Sequence, residues 1–162
     1  MSKRFTDIEQ LKIDHAKQYV DYIDGLKTER DNALNKIAFI EQMAQPGAIR
    51  YDLDSVATSP TDDAIPNAVS AMMEDKERYE EIVNSCNAEI EKFCLMLRFD
   101  VTGIGATYMY YHFRYGIPWN EIANTAGIDP STERNRRYEA LLEMYEKDLV
   151  PLEFRVPVYR AI

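Results

Sequence analysis

Apolar residues recur along the first forty positions with a helical rhythm. Ala16, Tyr19, Ile23, Leu26, Ala33, Ile37, Ile40 and Ala44 fall three and four apart, broken only at Arg30. No proline lies between Thr6 and Met43, and one glycine, Gly25, interrupts the run. The pattern predicts a long amphipathic helix. Over residues 44–63, AQPGAIRYDLDSVATSPTDD, the period vanishes while Pro, Gly, Ser and Asp accumulate, and a long loop is expected. Asp62 or Asp63 can cap a second helix, with Pro66 tolerated in its first turn. The apolar stripe of that helix is cleaner: Ile65, Val69, Met72, Lys76, Tyr79, Val83, Cys86, Ile90, Phe93 and Leu97 are spaced 4-3-4-3 throughout. A period of 3.5 predicts left-handed coiled-coil packing. The simplest partner is the first helix folded back antiparallel; pairing between two chains fits the pattern as well. Helices of about 35 residues make an arm of about 50 Å.

The texture changes after Asp100. Tyr108, Tyr110, Tyr111, Phe113 and Tyr115 crowd into eight residues of a helix expected from near Gly105 to a stop at Gly116. Only Arg114 accompanies them, which favours core and dimer packing over stacking on bases. Pro118 and Trp119 open a helix to about Ala126, and Gly127 suits a sharp turn. Asp129 caps a further helix with Pro130 at its first position, running through Leu149 to a stop at Pro151. In the tail, Leu152, Phe154, Val156 and Val158 alternate with polar residues, and Pro157 limits it to an edge strand or extended arm that docks onto something, a second subunit included. The expected fold is all-α. It comprises a long antiparallel coiled-coil helical hairpin over 1–100 with its loop at about 45–63, a helix-turn-helix module over 101–150, and a short extended tail over 151–162.

Net charge is −9, and it is unevenly placed. Residues 1–100 carry 12 Lys and Arg against 20 Asp and Glu, whereas residues 101–162 carry 7 against 8. The global basic surface usual for nucleic-acid binding is absent, so any DNA contact must come from a local cluster. The early polar sequence and the lack of an apolar run of about 18 to 20 residues predict no membrane association and a cytoplasmic protein. Cys86 and Cys94, eight apart in a helical pattern, are too distant for a disulfide and read as buried thiols. His15 and His112 have no second ligand at zinc spacing, and Asp52, Asp54, Asp62 and Asp63 fit no calcium loop. No nucleotide fingerprint, nucleophile or acid–base pair is nominated, so no metal, cofactor or enzyme is expected.

A helix-turn-helix requires a small residue where the helices cross, a glycine in the turn, and a polar, basic leading face on the second helix. Ala123, Gly127 and the run Ser131 to Arg137 supply these. Arg134 and Arg137 are neighbours on one surface, and Asn135 offers the donor and acceptor pair suited to adenine. The expected DNA-binding set is Ser131, Thr132, Arg134, Asn135, Arg136 and Arg137, on a scaffold of Trp119, Ile122, Ala123, Gly127, Ile128 and Leu141.

The run of Gly116, Trp119, Glu121, Ile122 and Ala123, followed by Gly127, Ile128, Thr132, Ala140 and Leu141, resembles the sigma-like helix-turn-helix of phage and prophage transcriptional regulators. These are the ArpU and RinA type late-gene regulators and their relatives. SPTDDAIPNAV, residues 59–69, is similar to the start of the second acidic helix in that group. The resemblance implies a phage-encoded, dimeric, sequence-specific DNA-binding regulator acting in the host cytoplasm on double-stranded DNA. Homodimerisation is expected through the long helices or the C-terminal tail.

The pattern has aliphatic residues where this chain has Glu133 and Arg136, and burying either charge unpaired costs several kcal/mol. The second helix is therefore expected to be rotated, seated further along through Tyr138, Leu141, Leu142 and Tyr145, or poorly seated. Two rival functions remain. One is an acidic adaptor or inhibitor whose arm binds a basic host protein, such as RNA polymerase or a nucleic-acid-guided nuclease. The other is a structural coiled-coil protein carrying a vestigial module.

Overall fold

A computed structural model describes residues 4–45 and 64–155 of the chain. Every regular element among them is helical: α1 (Asp7–Met43), α2 (Ala64–Phe99), α3 (Ile104–Tyr115), α4 (Trp119–Ala126), α5 (Pro130–Glu146) and α6 (Leu152–Arg155). The expected Asp62 or Asp63 cap, most of the expected loop and residues 156–162 of the tail lie outside the described residues. None of these helices is long and apolar enough to cross a membrane. The chain divides into two compact units, residues 1–25 with 89–162, and residues 26–88. Residues 1–25 and 89–100, expected in the arm, cluster with the C-terminal helices.

In the 26–88 unit the two helical segments run antiparallel. Arg30 donates to Asn87 at 3.2 Å, Lys36 lies 5.1 Å from the Tyr79 ring centre, and Lys76 lies 3.4 Å from Glu41, so partners descend on one helix as they ascend on the other. The covered positions are those of the apolar period. Ala33 and Cys86 are buried, and Leu26, Arg30, Ile37, Ile40, Met72, Tyr79 and Val83 are half-buried. Two charges interrupt the seam, and both are partnered. Arg30 also bridges Asp31, and Lys76 also bridges Glu80. Burial pushes the Cys86 thiol up from its ordinary range, and nearby Glu29 adds to the effect.

The other unit opens on a reciprocal cap. The Thr6 hydroxyl accepts from the Glu9 amide at 3.1 Å, and the Glu9 carboxylate accepts from the Thr6 amide at 2.9 Å, which starts α1 here. Its core centres on Phe93, fully buried, with Tyr19 and Phe113 edge-on to it at 5.3 and 5.2 Å. Ile13, Ile23, Leu97, Met109, Met144 and Val150 complete the packing. Burial, with Glu89 and Tyr22 adding to it, pushes the Tyr19 phenol up to about 12. The first turns of α1 line α5: Phe5 meets Tyr138 edge-on, Lys17 sits 4.3 Å from the Tyr138 ring centre, and Lys12 bridges Glu146.

Three local expectations are corrected. First, α5 ends at Glu146 rather than Leu149. Asp148 takes a left-handed φ of 59°, and the Asp148 and Leu149 amides donate back to Tyr145 and Met144. That bonding closes the helix before Pro151 is reached. Second, Asp129 stands at the start of α5, but its side chain makes no capping hydrogen bond. Third, residues 152–155 form a helical turn, not an extended strand; the Phe154 amide donates to the Pro151 carbonyl at 3.0 Å. The Phe154 ring then packs 5.5 Å from both Tyr19 and Tyr22, so this apolar residue docks within its own chain.

Helices α3 and α5 cross so closely at Gly105 that a methyl group there would overlap the Arg136 backbone carbonyl. Gly25, by contrast, has open space around its Cα. Gly105→Ala should lower stability by about 1 to 3 kcal/mol through overpacking. Gly25→Ala, in a helix interior, should raise it by about 0.5 to 1 kcal/mol. Urea denaturation followed by far-ultraviolet circular dichroism measures both.

Candidate functional site

The residues singled out in the sequence converge on α4, α5 and the turn between them. Gly127, with φ of 68°, ends α4; its amide and that of Ile128 donate back to carbonyls at Asn124 and Ala123. Only Ile128 and Asp129 then separate this glycine from α5. Ile122 and Ala123 of α4 and Leu141 of α5 are buried, while Trp119 and Ile128 are half-buried. Of the expected contact residues, Ser131 and Arg134 are exposed and Thr132 and Asn135 half-buried. Arg136 and Arg137 are also half-buried, and both are engaged within the chain.

Glu133 is 1% exposed. Its carboxylate accepts from Arg137 Nε one helical turn away, and the Arg137 guanidinium lies 3.8 Å from the centre of the Trp119 ring. Behind it, Trp119 stacks on His112 at 3.8 Å and 16°, and His112 Nδ1 meets the Ile117 carbonyl at 2.7 Å. The expectation that Glu133 forces α5 to be rotated, seated further along or poorly seated is therefore corrected at this position. Position 133 faces the core, as an aliphatic residue there would, and the charge is carried inward with its own counter-ion. Seating continues through Ala140, Leu141 and Met144, while Tyr138, Leu142 and Tyr145 are only half-buried. Since Glu133 points inward, it does not lie on the outward face near a polyanion.

Arg136 lies on the other flank of α5, where it donates to the Tyr108 hydroxyl at 2.8 Å. Arg134, the exposed arginine of this run, lines a cleft of about 410 Å³ between α1 and α5. Lys17, Arg137, Trp119 and Tyr138 share that cleft with Asp21 and Asp24. The cleft is polar and of mixed charge.

A residue that the sequence did not nominate organises the start of α3. Glu143 accepts from the Thr102 amide at 2.7 Å, the Gly103 amide at 3.1 Å and the Thr102 hydroxyl, and pairs with Lys147, which also reaches the Asp100 carbonyl. It satisfies amides that a helix start leaves open and fixes α3 to α5. Burial alone would raise the Glu143 carboxyl, but the bonds from Lys147, Thr102 and Gly103 outweigh it and hold the group below the usual carboxylate range. About forty residues separate Glu143 from Thr102 and Gly103, so no local pattern could reveal it. The Glu133–Arg137 pair, by contrast, had a visible signal in its spacing of four.

Among the described residues, no three His, Cys, Asp or Glu side chains converge as a metal-ligand set. Comparison of the chain with protein-family models, curated proteins and solved structures found no match.

Arg137→Ala leaves the Glu133 charge buried without its partner and should cost about 3 to 5 kcal/mol. Replacing both residues by leucine should recover most of that loss, as measured by chemical denaturation. Glu143→Gln tests the anchoring of α3 by Glu143 through pH. Because the folded-state pKa is lowered, the wild-type advantage over this variant should be complete above the ordinary carboxylate value of 4.5 and should fade as pH falls through the lower folded value. A difference between the two proteins that stays constant from pH 7 to pH 3 would contradict this.

Proposed function

We propose that α4, its glycine turn and α5 act as a helix-turn-helix that binds double-stranded DNA, with the first turns of α5 entering the major groove. The observation that carries this reading is the burial pattern. Ile122, Ala123, Glu133 and Leu141 seat the two helices, leaving Ser131 and Arg134 exposed and Asn135 half-buried at the leading end of α5. Thr132 flanks the same turn. Arg134 can bind guanine or phosphate, Asn135 can read adenine, and Ser131 and Thr132 can hold backbone oxygens. The similarity to sigma-like phage regulators supports transcriptional control as the purpose of that binding. Arg136 and Arg137, assigned by sequence to the contact set, become supports for α5 in this reading.

A second reading has an observation in its favour. With Arg136 and Arg137 engaged internally, and with Glu139 also exposed on α5, the basic footprint is small. Residues 26–88 meanwhile carry 12 Asp and Glu against 6 Lys and Arg. In this reading the two antiparallel helical segments of that unit form a coiled coil that binds a basic host protein through acidic side chains, RNA polymerase and nucleic-acid-guided nucleases among the candidates.

The test is a mobility shift on fragments of the encoding genome at two salt concentrations. The DNA reading predicts retention of one fragment, weaker at high salt, and a loss of about tenfold or more in Arg134→Ala with folding intact. Retention of no fragment, or retention untouched by that substitution, would overturn it. The adaptor reading instead predicts that partner capture survives Arg134→Ala and fails when Glu77, Glu80 and Glu81 are changed to lysine.

A further inference from the structure

The aromatic helix α3 turns Tyr108 and Phe113 into the core but leaves Tyr111 45% and Tyr115 61% exposed. Phe99, at the end of α2, is 70% exposed, and Ile104, at the start of α3, is 50% exposed. Phe99, Tyr111 and Tyr115 are linked through neighbouring side chains. The Arg98 guanidinium lies against the rings of Phe99 and Tyr110, at 5.3 and 5.7 Å, and Tyr111 stacks on Tyr115 at 5.6 Å. A cleft edged by Arg98, Tyr110 and Tyr115 shares Thr107 and Tyr111 with a second groove of about 330 Å³ between α3 and α4. Ile117, Ile122 and Ala126 line that groove, and Glu121 stands at its edge.

An apolar surface of this kind on a folded unit marks an interaction site, and tyrosine is enriched where proteins meet. The charges at its margins indicate the partner. Arg98 stands at one edge and Glu121 at the other, both exposed, with apolar side chains between. Under a two-fold axis the same patch on each copy faces itself in reverse, so residue i meets j while j meets i. Arg98 of each copy then faces Glu121 of the other, and the aromatic strip closes on its like. Elsewhere, a chain of charge −9 repels a second copy.

We propose that the α3–α4 face, from Phe99 and Arg98 across Tyr111 to Glu121, is a two-fold homodimer interface. This places the second copy against α3, α4 and the last turn of α2, rather than along the length of the long helices or on the tail. It does not depend on DNA binding.

Sedimentation equilibrium of the full chain across a range of micromolar concentrations tests the interface, with circular dichroism to check folding. Wild type should behave as a dimer. Arg98→Glu and Glu121→Arg should each raise the dissociation constant about tenfold or more, because each sets like charges together twice. Mixing the two variants should restore association to within about threefold of wild type, since each copy then supplies the charge the other lacks. Folding defects would not cancel on mixing. A monomeric wild type, a dimer indifferent to both substitutions, or singles that fail to rescue each other would overturn the proposal. Capture of a different protein by a monomeric chain would overturn it too.

Discussion

A carboxylate carried into the core with its own guanidinium is the constraint on which the α4–α5 region rests. At 1% exposure, Glu133 is paired with Arg137 across one helical turn, and the Arg137 guanidinium lies over the Trp119 ring. Trp119 in turn is fixed by His112, whose ring is tied to the Ile117 carbonyl. The chain of contacts joins α3, α4 and α5. It also commits one arginine to a partner within the chain.

This arrangement explains how one helix start can hold three arginines without being a strongly basic surface. Arg137 is committed to Glu133 and Arg136 to Tyr108, while Arg134 remains at the edge of a cleft that also contains Asp21 and Asp24. Recognition through α5 would then depend more on shape and a few hydrogen bonds than on bulk charge. Glu143 works in the same direction from the other end of α5, since its bonds to Thr102, Gly103 and Lys147 fix where α3 starts. The position of the α5 leading turn is therefore set from both ends.

Much of the helical architecture was legible because it is written in local periods. The 4-3 spacing of Met72, Tyr79, Val83, Cys86 and Ile90 marks the covered side of α2, and Gly116 and Gly127 mark helix ends through positive φ. The end of α5 was harder to read, because Asp148 takes the left-handed role usually filled by glycine. The alternation of Leu152, Phe154, Val156 and Val158 did not reveal that residues 152–155 form one helical turn. For the site, Ala123, Ile122 and Leu141 could be placed from the pattern, but the directions of Arg136 and Arg137 could not. Those depend on Tyr108 and Trp119, brought there by tertiary packing. The cost of burying Glu133 unpaired was legible, and its spacing of four from Arg137 held the information needed to bury it paired.

The most direct measurement is an NMR titration that follows the arginine Nε–H signals of the folded chain as double-stranded DNA is added. The Arg137 signal, bound to Glu133, should exchange slowly with water and keep its position, while the Arg134 signal shifts. An Arg137 signal that exchanges freely, or that moves with DNA as far as that of Arg134, would contradict the inward ion pair and the outward role of Arg134 together.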